Sequence, residues 1–400
     1  MIALGPLAID AYLPSFPLIA SDLSVDPVSV GFSLSSYLLG MALGQMFGGP
    51  ISDQIGRQKV ARTGLLLFFA MTLVIFFVQS LDQLIIARVF QAIGGGLAGA
   101  VVMPTLRDIS RPEQVSGRIA VVYLIMLGAP LVAPILGVVL MQFGWRWIFG
   151  FLAIYASVML IVYLWQLSET RESVSDKIEF SRIIRQYTFV IRHRTDGAHY
   201  PIRYGISSAL TGCIMLIYVT NASFIFQTYF GVPDNLFPFF FGANVVSLAL
   251  VQSFSARYLR DRDLEEVAAY FRLGQRAQLI LVSLMAAAVI FTDVSLWVFV
   301  PLLLCSLSCL GVNGSAGSGV FVSAFKAHSG SASALLTTMM FLFGASLGLA
   351  SGLLNDGSLI SVVGMLLLAT LAGNLVMMTI PRNREKEILG KIQSGEIASA

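Results

Sequence analysis

The chain has 400 residues, of which 56% are hydrophobic and only 12% charged, with a formal net charge of +3. A soluble domain carries roughly 25% charged residues, so a water-solvated surface over the whole molecule is excluded. The length would suit two or three soluble domains, but the hydropathy replaces them with spans of about 20 residues each. Twelve apolar segments follow in chain order: 2–20, 31–52, 60–80, 83–106, 118–141, 146–167, 203–230, 236–256, 273–291, 295–321, 331–353 and 358–380. Every backbone polar group must be satisfied inside lipid, so these segments are predicted to be helices. The alternating ten-residue pattern of a membrane barrel is not seen. The first segment has no basic leader and contains Pro6, Asp10, Pro14 and Pro17. It reads as an irregular membrane helix rather than a signal peptide.

Orientation follows from the basic residues. With the odd-to-even connections placed outside, 23 of the 25 Lys and Arg fall on the inner side, and only Arg88 and Arg146 escape. Positive residues favour the cytoplasm, so both ends are expected to be cytoplasmic. The longest polar stretch, near 168–202, divides the chain into six helices (1–167) and six more (203–380), and a tail at 381–400 is expected to fray. The stretch reads as a cytoplasmic linker that could lie on anionic lipid.

An ionisable residue inside a membrane is costly and is a functional candidate by default. Of 22 acids, Asp10 alone falls deep within a predicted helix, and Arg88 is the one deep base. Asp10 is about 15 Å from the outer end of its helix at the usual helical rise. Gln91, one turn on from Arg88, lies nearer its level. Two readings stay open: a buried Asp10–Arg88 pair that only fixes packing, or an acid that takes up and releases a proton. Gly40, Gly44 and Gly48 form one small-residue stripe, and Gly344, Gly348 and Gly352 another. Such stripes mark close helix contacts. They are expected at a sliding interface between halves, with packing inside each half as the alternative. Pro130 and Pro134, between Gly128 and Gly137, should bend the fifth helix. Cys213, Cys305 and Cys309 lie in apolar runs and read as small packing residues, so neither a disulfide framework nor a metal or cofactor site is expected.

The loop after the second segment reads Gly49-Pro-Ile-Ser-Asp53-Gln-Ile-Gly56-Arg57-Gln-Lys59. It resembles the signature loop of the major facilitator superfamily, departing at Gln58, where a basic residue is usual. Arg88-Val-Phe-Gln91-Ala-Ile-Gly94 is similar to that family's fourth-helix motif, and the bent fifth helix to its antiporter motif. Gly5-Pro6-Leu-Ala-Ile-Asp10-Ala-Tyr12-Leu-Pro14 resembles the first helix of the bicyclomycin/chloramphenicol-resistance (Bcr/CflA) branch, as does Gly330-Ser-Ala-Ser-Ala334.

The resemblance implies an all-α membrane protein with two six-helix bundles around a central cavity, alternating access, and export of drugs or related metabolites against proton entry. It implies that Gly49, Asp53, Gly56 and Arg57 gate the cytoplasmic side, with Asp53 latching the halves. Pro130, Pro134 and Gly137 would seal one side of the cavity. Asp10 and Arg88 would couple to protons. Tyr12, Gln91, Tyr218, Asn221, Gln227 and Asn313 would reach the substrate, with Tyr37, Tyr123, Met126 and Asn244 as further candidates. The expected partners are a small amphipathic molecule, protons and the bilayer of the inner membrane, with the protein a monomer and no nucleic acid involved. Export of one dedicated metabolite, such as a siderophore, stays open, as does a non-transporting sensor or scaffold. An enzyme is not expected, because His193, His199 and His328 fall in loops without acids or nucleophiles beside them.

Overall fold

The structure is a computed structural model that describes residues 1–166, 168–171, 174–175, 177–193, 199–325 and 328–394. Arg194 and Lys326, two of the basic residues expected on the inner side, and the last residues of the tail lie outside these. The first apolar segment is a broken helix. α1 (Leu4–Asp10) stops at Asp10, a 3-10 turn covers Leu13–Ser15, and α2 (Phe16–Leu23) completes the crossing. Prolines are the cause. A proline lacks an N–H, and its ring clashes with the carbonyl four residues back, here those of Asp10 for Pro14 and Leu13 for Pro17.

α3 (Pro27–Ile55) starts on an Asp26 cap whose carboxylate accepts from the Val28 N–H at 2.8 Å. Then come α4 (Arg57–Phe76), α5 (Leu81–Ala100), its short continuation α6 (Val102–Asp108), α7 (Pro112–Met141) and α8 (Arg146–Gln166). α9 (Phe180–Arg192) falls in the polar stretch and buries Ile183, Tyr187 and Val190. α10 (Tyr200–Gly212), α11 (Ile214–Ser223) and a π-helical turn at Phe224–Tyr229 make one long crossing. α12 (Phe237–Tyr258), α13 (Leu264–Phe291), α14 (Leu296–Ser308) with α15 (Leu310–Ser323), α16 (Ser329–Leu353) and α17 (Ile360–Met378) supply the rest. Among the described residues, eleven stretches are long and apolar enough to cross a membrane. The broken α1–α2 segment is the twelfth crossing, interrupted rather than absent.

Two compact units arise from this order: 1–183 with 219–242, and 184–218 with 243–400. The second half of the seventh crossing, from Val219 on, thus belongs with the first six. Gln227 explains part of that, donating to the Pro14 carbonyl at 3.0 Å. In this unit α3 and α4 flank α5, α8 packs on α4, and α1 rests on α7. In the other, α13 packs against α14, α15 and α17, and α10 against α15, α16 and α17.

Of the two readings of the glycine stripes, the contacts found are those of packing within a unit. Gly40, Gly44 and Gly48 seat α3 on α5 within one unit, where a Cβ at Gly44 would strike the Ile93 carbonyl and Gly96. Gly344 faces Leu216 of its own unit. Both contacts are packing inside a unit rather than a sliding surface. The tail differs. Arg382–Ser394, expected to fray, forms α18 and docks on α13, burying Ile388, Leu389 and Ile392.

Candidate functional site

The break in helix 1 places Asp10 at the last residue of α1, where the helix dipole is negative. Its side chain is buried, yet it makes no hydrogen bond or ion pair among the described residues. The Asp10–Arg88 pair, one of the two readings left open by the sequence, is therefore not formed. Arg88, wholly buried, turns to neutral groups instead. Its Nη1 donates to Gln91 Oε1 at 2.8 Å and its Nη2 to the Ala8 carbonyl at 3.0 Å. Three rings enclose the guanidinium: Tyr37 at 4.1 Å, Tyr12 at 4.7 Å and Phe149 at 5.6 Å. Cation–π attraction strengthens where water is excluded, and the neighbours lock the cage. Gln91 donates to Thr72 Oγ1 at 2.8 Å, and the Thr72 hydroxyl donates in turn to the Phe68 carbonyl. Tyr12 shares a 2.8 Å bond with Ser33 Oγ.

The other candidates divide. Tyr12, Tyr37 and Gln91 converge on Arg88. Gln227 is engaged by Ser223, by the Pro14 carbonyl and by Asp234. Tyr123 and Met126 are exposed on α7. Tyr218, Asn221, Asn244 and Asn313 are buried. Asn313 donates to Gln278 Oε1 at 3.0 Å and Asn244 to Met215 Sδ, so both face neighbours in the second unit. α7 stays helical through Pro130 and Pro134, and its Gly137 lies against the Ala11 carbonyl at the break in helix 1.

The signature loop is built on a second buried arginine. Arg57 bonds to Ser52 Oγ at 2.6 Å, Asp53 Oδ1 at 2.6 Å and Asp108 Oδ2 at 3.3 Å. Gly56 turns the chain at φ +101°, a conformation that L side chains rarely adopt. A Cβ there would also collide with the Glu169 carboxylate. Glu169 comes from the polar stretch and caps α4, accepting from the N–H groups of Arg57 at 2.9 Å and Gln58 at 3.0 Å. Burial pushes its carboxyl up, but N–H donors from Arg171, Gln58, Arg57 and Thr170 outweigh that and hold it below the ordinary carboxyl range. Arg171 and Thr170 add bonds to the Asp53 carbonyl and to Asp108. Gln54 is gripped in turn by Ser175 and Glu179. The start of the polar stretch is therefore a clamp on the loop rather than a slack tether. Sequence reasoning missed Glu169, Asp108, Ser33, Thr72 and Phe149. Only the acid at Glu169, just beyond the sixth helix, could have hinted at a cap.

The profile of the Major Facilitator Superfamily covers residues 1–349. The chain belongs to that superfamily. It is a multi-pass membrane transporter, not an enzyme. It is 27% identical over 353 residues to the bicyclomycin resistance protein homolog of Haemophilus influenzae, covering 86% of this chain and 85% of that protein. Over 183 residues it is 30% identical to multidrug resistance protein MdtL of Escherichia coli, covering 46% of this chain and 47% of that one. In fold it is similar to a peptide transporter POT solved in complex with sulfate, with a TM-score of 0.71 at 14% identity, covering 97% of this chain and 92% of that one.

Proposed function

We propose that this transporter exports amphipathic small molecules across a bacterial inner membrane in exchange for protons, by alternating access, with both ends of the chain in the cytoplasm. The relatives named for bicyclomycin and multidrug resistance support the substrate class, and the inner bias of the basic residues supports the orientation. One observation carries the coupling role: Asp10 is buried, unpaired and set at the break of helix 1.

An unpaired charge away from water is costly. A bound proton removes that cost, and so does a polar or cationic group of a ligand. Proton and ligand then exclude one another at a single carboxyl, which is the requirement for exchange. The Arg88 cage holds a fixed positive charge beside the site, with the rings of Tyr12 and Tyr37 turned onto that charge. Pro130, Pro134 and Gly137 shape the wall against helix 1, and the Asp53–Arg57 loop sets the closure at the cytoplasmic side.

The test is transport in proteoliposomes. Asp10→Asn keeps the shape of the side chain, so the variant should fold and still bind ligand. Its export driven by a pH gradient should fall about a hundredfold, or ~3 kcal/mol in barrier. Undiminished proton-driven export by the variant would remove Asp10 from the coupling role.

A further inference from the structure

α13 carries no charged residue from Ala277 to Phe291, so the apolar zone begins just past Arg276. Its earlier turns meet α18. Arg272 fixes that junction, donating through Nη2 to Glu385 Oε2 at 2.7 Å and through Nε to Oε1 at 3.1 Å. It also reaches the Met377 and Ile380 carbonyls, and Tyr204 donates to the same carboxylate.

Beside this junction lies a cavity of 420 Å³ between the two helices. Four cations line it, Arg272, Arg276, Arg382 and Lys386, against two acids, Glu265 and Glu385. Both acids are taken: Glu385 by Arg272 and Glu265 by Lys386. Arg276 and Arg382 have no ion pair or side-chain hydrogen bond among the described residues. The remaining wall is apolar at Ala269 and Leu273, and Leu273 is 64% exposed on a membrane helix.

Two unused guanidinium groups at the edge of an apolar zone call for an anion with an apolar tail. We propose that this cavity binds an anionic phospholipid, with Arg276 and Arg382 holding the phosphodiester and an acyl chain running past Arg276 along the exposed Ile280 and Leu284. Guanidinium forks match phosphate oxygens, and basic pockets at the membrane surface attract acidic headgroups. A free phosphate ester would satisfy the same two arginines but would leave Ile280 and Leu284 unused. The site is independent of the transported substrate, and its failure would leave the coupling role of Asp10 untouched.

The test is native mass spectrometry of the purified full chain, titrated with phosphatidylglycerol, phosphatidylcholine or glycerol 3-phosphate. Phosphatidylglycerol should be retained in preference to phosphatidylcholine, and excess glycerol 3-phosphate should not displace it. The double variant Arg276→Gln, Arg382→Gln should bind phosphatidylglycerol about thirtyfold more weakly, and each single variant about fivefold. Arg260→Gln, at an exposed arginine outside the cavity, should bind as the unaltered protein does. Thermal melting checks that each variant is folded, and the single variants decide the matter if the double variant does not fold. Equal retention of both lipids, undiminished binding by the folded variants, or displacement by glycerol 3-phosphate would each overturn the proposal.

Discussion

Two buried arginines sit in the same unit of this protein and are neutralised in opposite ways. Arg57 has two carboxylates, Asp53 and Asp108, and a serine hydroxyl. Arg88 has no carboxylate at all, only an amide oxygen, a carbonyl and three aromatic faces. The one acid placed to serve it, Asp10, stays apart. At Arg57 two carboxylates answer the guanidinium, one from the loop and one from α6, so the loop can act as a rigid fitting whatever occupies the transport path. At Arg88 the charge is held by rings and dipoles, which leaves Asp10 able to gain or lose a partner. A buried pair would have tied the acid to packing and taken it out of exchange chemistry.

Three measurements would break or sharpen this contrast, beyond the Asp10→Asn experiment. The largest effect is expected at Tyr37, whose ring lies nearest the Arg88 guanidinium. Tyr37→Ala removes that face and opens a cavity beside a buried cation, costing about 3–5 kcal/mol. Thermal melting in detergent should show it, and a near-normal melting temperature would mean the cage does not hold the charge. Next comes Arg57→Met, which strips charge-assisted bonds from Asp53, Asp108 and Ser52. Asp53 and Asp108 can still reach water, so the cost should be about 2–3 kcal/mol. A loss as large as that at Tyr37 would mean the loop is as buried energetically as the cage.

The smallest effect is at Glu169. Glu169→Gln weakens the cap on α4 and should cost about 1 kcal/mol or less. The effect is pH-dependent, because the folded carboxyl sits below its ordinary value of 4.5. A group depressed by folding contributes stability above the unfolded value and loses it as the pH falls through the folded one. The unaltered protein should therefore exceed the variant in melting temperature at neutral pH, with the gap closing below about pH 4.5. A gap that persists in more acidic buffer would assign the effect to something other than the cap.

Much of the contrast was legible in the chain. Asp10, Arg88 and Gln91 stand out because charge is rare in apolar segments. The Gly49–Lys59 loop stands out because its spacing is that of a family signature. The partners of these residues did not. Glu169 caps α4 from 112 residues away, and Phe149 joins the cage from α8, with nothing in its local sequence to mark it. Gly40, Gly44 and Gly48 announced a close contact but not its partner, since small-residue spacing says how near two helices come and not which two.

By itself, then, the sequence determined twelve apolar crossings, the uneven spread of the basic residues between their connections, the irregular first helix and the rarity of the acid within it. Each follows from local chemistry: apolar length, charge count and the missing N–H of proline. Tertiary structure alone decided that Asp10 and Arg88 stay unpaired, that the polar stretch clamps the signature loop, and that the tail docks on α13. Those outcomes depend on which side chains from distant segments reach one another first, and a buried charge takes whatever partner the packing brings within reach.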